Sequence, residues 1–207
     1  MQPTAVPLLL AVVLAGTSSW AKIDWSRGLS RDAFSQPERV LAALALAPGA
    51  RVADLGAGDG YFTFRLAEAV GEGGRVYAVE VSERALRKLR ERARSGGHAN
   101  VEVIEGAVDD PRLPDSAVDL VLLSSVYHHL DERVAYFARL RADLAPGARV
   151  AIVEPRDSWA SWWLLLPPGH GVAVPVMRRE MAKAGYRHVA SHDFLPAHSF
   201  EVFEVER

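Results

Sequence analysis

RVADLGAGDGYF, residues 51–62, sets a short apolar run directly against a glycine-rich turn. Arg51 to Leu55 has the near-continuous apolar character of a strand covered on both faces. The turn leads into a helix expected from about Tyr61 to Val70 and ended by Gly71. In open α/β sheets ligands bind at the carboxyl ends of the strands, where the strand order switches direction. Glycines there adopt positive φ and let a ligand approach the backbone closely. A dinucleotide-binding turn reads Gly-x-Gly-x-x-Gly. Here the spacing is Gly56-x-Gly58-x-Gly60, and Tyr61 stands where the third glycine belongs. Asp54 precedes the turn and Asp59 lies inside it. Two carboxylates repel a pyrophosphate and suit a ligand that carries an ammonium and a sulfonium.

Outward from this turn, strand-like and helix-like segments alternate. Ser35-Gln36-Pro37-Glu38 has the pattern of a capping box before a helix running to Leu46, with Pro48-Gly49 as its stop. Strands are expected at 75–81, 101–105, 118–124 and 149–154. Ser82 to Arg94, Asp131 to Leu144 and Pro175 to Ala184 are expected helices, with Pro146-Gly147 a sharp stop after the second. Two final strands, roughly 187–194 and 199–205, have no helix between them and form an antiparallel hairpin. Repeated βαβ units imply a mostly parallel, doubly wound sheet in a single domain, 22–207. Glu80 ends the second strand, where an acid accepts the two hydroxyls of a ribose.

The 207 residues hold 24 basic and 26 acidic side chains and no cysteine. The charge balance gives no reason to expect nucleic acid as a partner. The absence of cysteine excludes disulfides, thiolate metal sites and a cysteine nucleophile. Residues 1–21 contain no charged side chain. Their apolar run, Leu8 to Ala15, is too short to span a bilayer and fits the core of a secretory signal. Small residues at Ser19 and Ala21 complete a cleavage site, so export, to the periplasm, is expected, with a cytoplasmic or membrane-anchored chain as the alternative.

These residues resemble the class I S-adenosylmethionine-dependent methyltransferases. VADLGAGDGYFTFRLA resembles their first motif, and VYAVEVSERALRKLR is similar to their second strand with its ribose-binding acid. LPDSAVDLVLLSSVYHHLDERVAYFARLRADLAPGARVAIVE looks like their fourth strand, following helix and fifth strand. Within the superfamily the chain looks most like small bacterial exported proteins with a Tyr-His-His and a Pro-Pro-Gly-His segment. The resemblance implies a Rossmann-like seven-stranded α/β sheet of order 3-2-1-4-5-7-6 with strand seven antiparallel. It also implies S-adenosylmethionine as cofactor. Asp54 and Gly56 then hold the methionine part, Gly58 lets the backbone approach, Glu80 binds the ribose, and Val81 packs on the adenine. Many relatives carry Asp just after the glycine that follows strand three, but here Gly106 is followed by Ala107. Either Asp109 supplies the adenine contact or Val108 covers the ring. Ser124, ending strand four, lines the transfer site.

Methyl transfer needs in-line alignment, and a base helps when the acceptor carries a proton. Tyr127, His128 and His129, just after strand four, are candidates on the substrate side, with His170 in the expected covering loop and Glu154 at the end of strand five. His128, His129 and His170 are the three catalytic candidates. Trp159, Trp162 and Trp163 form either a lid over an apolar or aromatic small-molecule acceptor, a membrane contact, or a helix packed on the sheet. His188 and His192 lack a third metal ligand nearby, and no metal site is expected. The arginine-rich run from Arg84 to Arg94 is most simply a solvated helix face. Two other readings compete: a non-catalytic binding or accessory protein that keeps the fold, and a nicotinamide-dependent oxidoreductase, disfavoured by the glycine spacing.

Overall fold

A computed structural model describes residues 30–156 and 171–206. The leader 1–21, the three tryptophans from Trp159 to Trp163 and His170 lie outside the described residues. Seven strands form one sheet: β1 (Arg51–Leu55), β2 (Arg75–Glu80), β3 (Val101–Glu105), β4 (Val118–Ser124), β5 (Leu144–Pro155), β6 (Tyr186–His192) and β7 (His198–Val205). Their spatial order is β3-β2-β1-β4-β5-β7-β6. β1 to β5 run parallel, whereas β7 is antiparallel to both β5 and β6. The Rossmann-like α/β class and the strand order are those the resemblance implies.

Among the described residues six helices flank the sheet: α1 (Arg31–Ser35), α2 (Pro37–Leu44), α3 (Thr63–Val70), α4 (Glu83–Ser95), α5 (Arg133–Leu140) and α6 (Val174–Lys183). One core gathers Leu55, Val121, Leu123, Ile152 and Phe203 under Tyr127, Phe137, Met177 and Met181. The opposite face packs Val52, Leu122, Ala151 and Phe200 under Val40, Leu44 and Leu66. The strand order reverses between β1 and β4, so the turn after β1 and the segment after β4 open on one crevice.

Local structure departs from expectation in three places. Ser35 does not cap α2; it ends α1, a helix the sequence pattern did not announce. Gln36 sits between the two helices in the left-handed region (φ 40), donating its backbone N–H to Asp32 and forming no side-chain cap on α2. The helix expected from Asp131 to Leu144 is shorter. Tyr127–His129 form one 3-10 turn, and α5 ends at Leu140. Ser116 and Val118 donate their backbone N–H groups to Ala142 and Asp143, which pulls the chain back toward β4. Pro146-Gly147 is no stop. It lies within β5, where a register shift between Val118 and Leu120 absorbs the irregular residues.

Candidate active site

The turn after β1 is tied to β2 by backbone. Gly56 and Ala57 both donate to the Val79 carbonyl, at 2.9 and 3.0 Å. Gly56 has φ +69, and a Cβ there would overlap the Val126 side chain from the segment after β4. The glycine is therefore required twice, by its conformation and by that contact. Glu80 seals the arrangement from the end of β2. Its Oε2 accepts from Gly58 N at 2.8 Å, and its Oε1 accepts from Val81 N at 2.8 Å and Ser82 N at 2.9 Å. A carboxylate has roughly four lone-pair positions. One on Oε2 stays open to a ribose hydroxyl, and a second hydroxyl enters only by displacing a backbone donor.

Asp54 lies beneath the turn, 3% exposed. Its Oδ2 accepts from Thr63 Oγ1 at 2.6 Å, a partner the sequence gave no signal for. Burial pushes the Asp54 carboxyl up to about 7, with the Glu80 charge adding to the rise and the Thr63 hydrogen bonds opposing it. A carboxylate held this way gains from a cation placed beside it.

Among the described residues only three large apolar side chains are exposed, and two of them are Val81 (56%) and Val108 (68%). Both follow adjacent strand ends, since Glu80 pairs with Glu105 in the β2–β3 ladder. Apolar surface left open beside an acid-lined turn suits the faces of an adenine ring. Asp109 is exposed beside α5: its backbone carbonyl accepts from Arg139 at 2.7 Å, and its carboxylate lies 4.0 Å from the same guanidinium.

The acceptor-side candidates lie at the ends of β4 and β5. Ser124 is half-buried at the end of β4, paired with Val153. Ser125 takes a left-handed φ of 58 and donates to Val153 O at 2.8 Å, turning the chain into the 3-10 turn. Tyr127 is buried in the core. Its ring stacks on Phe137, and its hydroxyl donates to Glu180 at 2.8 Å, where Arg133 also binds. Burial and that carboxylate raise the phenol well above its ordinary value, so Tyr127 is a packing residue. His128 Nδ1 lies 2.6 Å from Glu154 Oε1, with the glutamate fully buried. Burial pushes Glu154 up to about 8. His129 is exposed, its ring 4.0 Å from that of His128. His188 packs on Phe203 of one core and His192 on Phe200 of the other. The register shift between His188 and Ala190 thus puts these two histidines on opposite faces of the sheet.

The donor set fits S-adenosylmethionine. The buried Asp54 suits a cationic group, the strand-end Glu80 keeps an acceptor position, and Val81 and Val108 expose apolar surface beside them. A pyrophosphate would be repelled by Asp54, Asp59 and Glu80 at the turn. The fold and this site define a class: Rossmann-like enzymes that bind S-adenosylmethionine at the first strand–helix turn. A family model described as a methyltransferase domain matches residues 46–189. The chain belongs to that family, within the class I S-adenosylmethionine-dependent methyltransferases. It is 34% identical over 110 residues to an arsenite methyltransferase of Halobacterium salinarum, which covers 53% of this chain and 28% of that protein. It is 29% identical over 191 residues to the nocamycin O-methyltransferase of Saccharothrix syringae, 90% of this chain and 64% of that one. The chain thus spans less than two thirds of the length of either relative. A crystal structure of a methyltransferase from Aquifex aeolicus superposes with a TM-score of 0.75 at 28% identity, covering 91% of this chain and 98% of that one.

Proposed function

We propose that the protein transfers the methyl group of S-adenosylmethionine to a small apolar or aromatic acceptor. The observation that carries this reading is the buried Asp54 beneath a glycine turn that Glu80 pins from the neighbouring strand. When bound, S-adenosylmethionine supplies an electrophilic methyl group on a sulfonium. Asp54 balances the positive amino-acid part, and Gly56 and Gly58 let the backbone approach it. Glu80 accepts from the ribose, while Val81 and Val108 enclose the adenine. Ser124, at the end of β4, borders the transfer site.

On the acceptor side, Glu154 fixes the His128 ring through Nδ1. With Glu154 ionised and accepting from Nδ1–H, Nε2 is the ring nitrogen that takes a proton from a hydroxyl acceptor, and the imidazolium so formed is stabilised by the glutamate. His129 and His170 are carried as further acceptor-side groups. The leader is proposed to direct export. Mass spectrometry of the mature amino terminus tests the leader: a chain beginning at Lys22 supports export, and an intact Met1 overturns it.

Calorimetric titration tests the main reading. Micromolar binding of S-adenosylmethionine and S-adenosylhomocysteine is expected, with NAD showing none. Asp54→Ala and Glu80→Ala are expected to lose it. NAD binding with no S-adenosylmethionine binding would overturn the reading.

A further inference from the structure

The glycine turn carries an excess of negative charge. Asp54, Asp59 and Glu80 all belong to it or face it. That suits an ammonium and a sulfonium, but the amino-acid head of S-adenosylmethionine also bears a carboxylate. Placed among three acids without a cation, that carboxylate is repelled. Three arginines surround the turn. Arg65 is committed: it donates to the Tyr61 carbonyl at 2.8 Å and pairs with Asp32 at 3.5 Å. Arg92 donates to the Asp59 carbonyl and lies over the Phe64 ring, on the α3–α4 side.

Arg31 differs from both. Its guanidinium lies over the Tyr61 ring, 3.8 Å from the centroid, and reaches Asp59 through one long contact of 3.4 Å. Both side chains of that pair are more than half exposed, so the pair is weak and easily re-formed around a ligand. The backbone beneath Arg31 is nevertheless held. Ser30 caps α1 through Ala33 N, and Tyr61 Oη donates to Asp32 Oδ1 at 2.5 Å. A fixed helix thus presents a guanidinium with unused donors at the rim of the turn, and its charge is felt at Asp54.

We infer that Arg31 is the anchor for the cofactor's carboxylate, using the bidentate geometry that guanidinium and carboxylate share. This rests on the S-adenosylmethionine reading of the same site. Asp59 then bridges to the other edge of the guanidinium and keeps it aimed.

The test compares two ligands that differ only in the carboxylate: S-adenosylmethionine and its decarboxylated form. Calorimetry is run on the wild-type protein, Arg31→Ala and Arg31→Lys. Hydrogen bonds between charged groups correspond to about 10–100-fold in affinity. The wild type is expected to prefer S-adenosylmethionine by about that factor. Arg31→Ala is expected to lose the preference while binding the decarboxylated ligand within about threefold of wild type. Arg31→Lys is expected to keep part of it. Equal weakening of both ligands in Arg31→Ala would make Arg31 a packing residue of α1 and overturn the inference. An unchanged preference would overturn it as well. A wild type that binds neither ligand would instead remove the cofactor reading on which it rests.

Discussion

At the β1 end of the crevice a buried acid, Asp54, meets a hydroxyl; at the β5 end a buried acid, Glu154, meets an imidazole. Both carboxyls are raised chiefly by burial, to about 7 and about 8. The partners make the difference. Thr63 donates a hydrogen bond and carries no charge, so Asp54 gains a full counter-charge only from a ligand. His128 can itself become the cation, so Glu154 has its counter-charge within the protein. One end of the crevice is therefore built for binding a cation, and the other for holding a proton.

The two ends touch at Gly56 and Val126, and a substitution there should disturb both. Gly56→Ala puts a side chain into a left-handed backbone and against Val126. The expected loss of stability is about 2–4 kcal/mol, summing the left-handed penalty and the overpacking, read by denaturant unfolding. Adding Val126→Ala should recover the overpacking part and leave the backbone part. Full recovery would mean that the conformation of the turn carries no cost.

The next largest effect concerns pH. An acid whose folded pKa is raised contributes stability that is present below its unfolded value and lost as pH rises through the folded one. For Asp54 that window runs from about 4 to about 7, and for Glu154 from about 4.5 to about 8. The ligand-free protein should therefore lose stability on going from pH 5 to pH 8. Asp54→Asn should remove its share of that slope below about pH 7, and Glu154→Gln its share throughout, leaving pH 7 to 8 level. A cation bound beside Asp54 favours its carboxylate, so cofactor affinity should rise with pH up to about 7 and then level off. Asp54→Asn should flatten that profile and cost about 10–100-fold in affinity at pH 8. A wild-type affinity that is level from pH 5 to pH 8 would mean that the acid does not face the cation.

Glu154→Gln sharpens the contrast from the other side. Cofactor affinity should stay within about twofold of wild type. The strongly shifted ring N–H proton resonance expected of the 2.6 Å His128–Glu154 bond should disappear. Loss of cofactor binding in this variant would mean that the two ends are one unit. Against a hydroxyl acceptor, methylation should fall by about 10²-fold or more if His128 acts as the base.

Much of this division was legible in the sequence, for a physical reason. Glycines, strand-end acids and apolar runs report local backbone needs, so Gly56, Asp54 and Glu80 could be placed at strand ends from their neighbours alone. Contacts between distant segments leave no such trace. Thr63 beneath Asp54, Val126 against Gly56 and Arg31 over Tyr61 exist only because the sheet brings α3, the segment after β4 and α1 to one edge. His128 and Glu154 were separate candidates, and only the parallel pairing of β4 with β5 joins them. Ser35 misled because a capping box is a four-residue pattern, whereas α1 and its tie to Tyr61 decide where α2 begins.

The smallest predicted effect separates packing from recognition. Val81 and Val108 are exposed, so neither contributes much to the core. Val81→Ser and Val108→Ser should each change stability by less than about 0.5 kcal/mol, as surface substitutions do. If the two side chains enclose an adenine, each removes apolar area from the ligand-bound state alone. Burying a few tens of Å2 at about 25 cal/mol per Å2 corresponds to a few-fold in affinity. Calorimetry with S-adenosylhomocysteine should therefore show each variant a few-fold weaker, and the two effects should add if the valines contact opposite faces of the ring. Val189, the third exposed valine, lies on β6 at the far edge of the sheet. Val189→Ser should leave the affinity unchanged. An equal loss in all three variants would trace the effect to general surface polarity and remove the adenine from between Val81 and Val108.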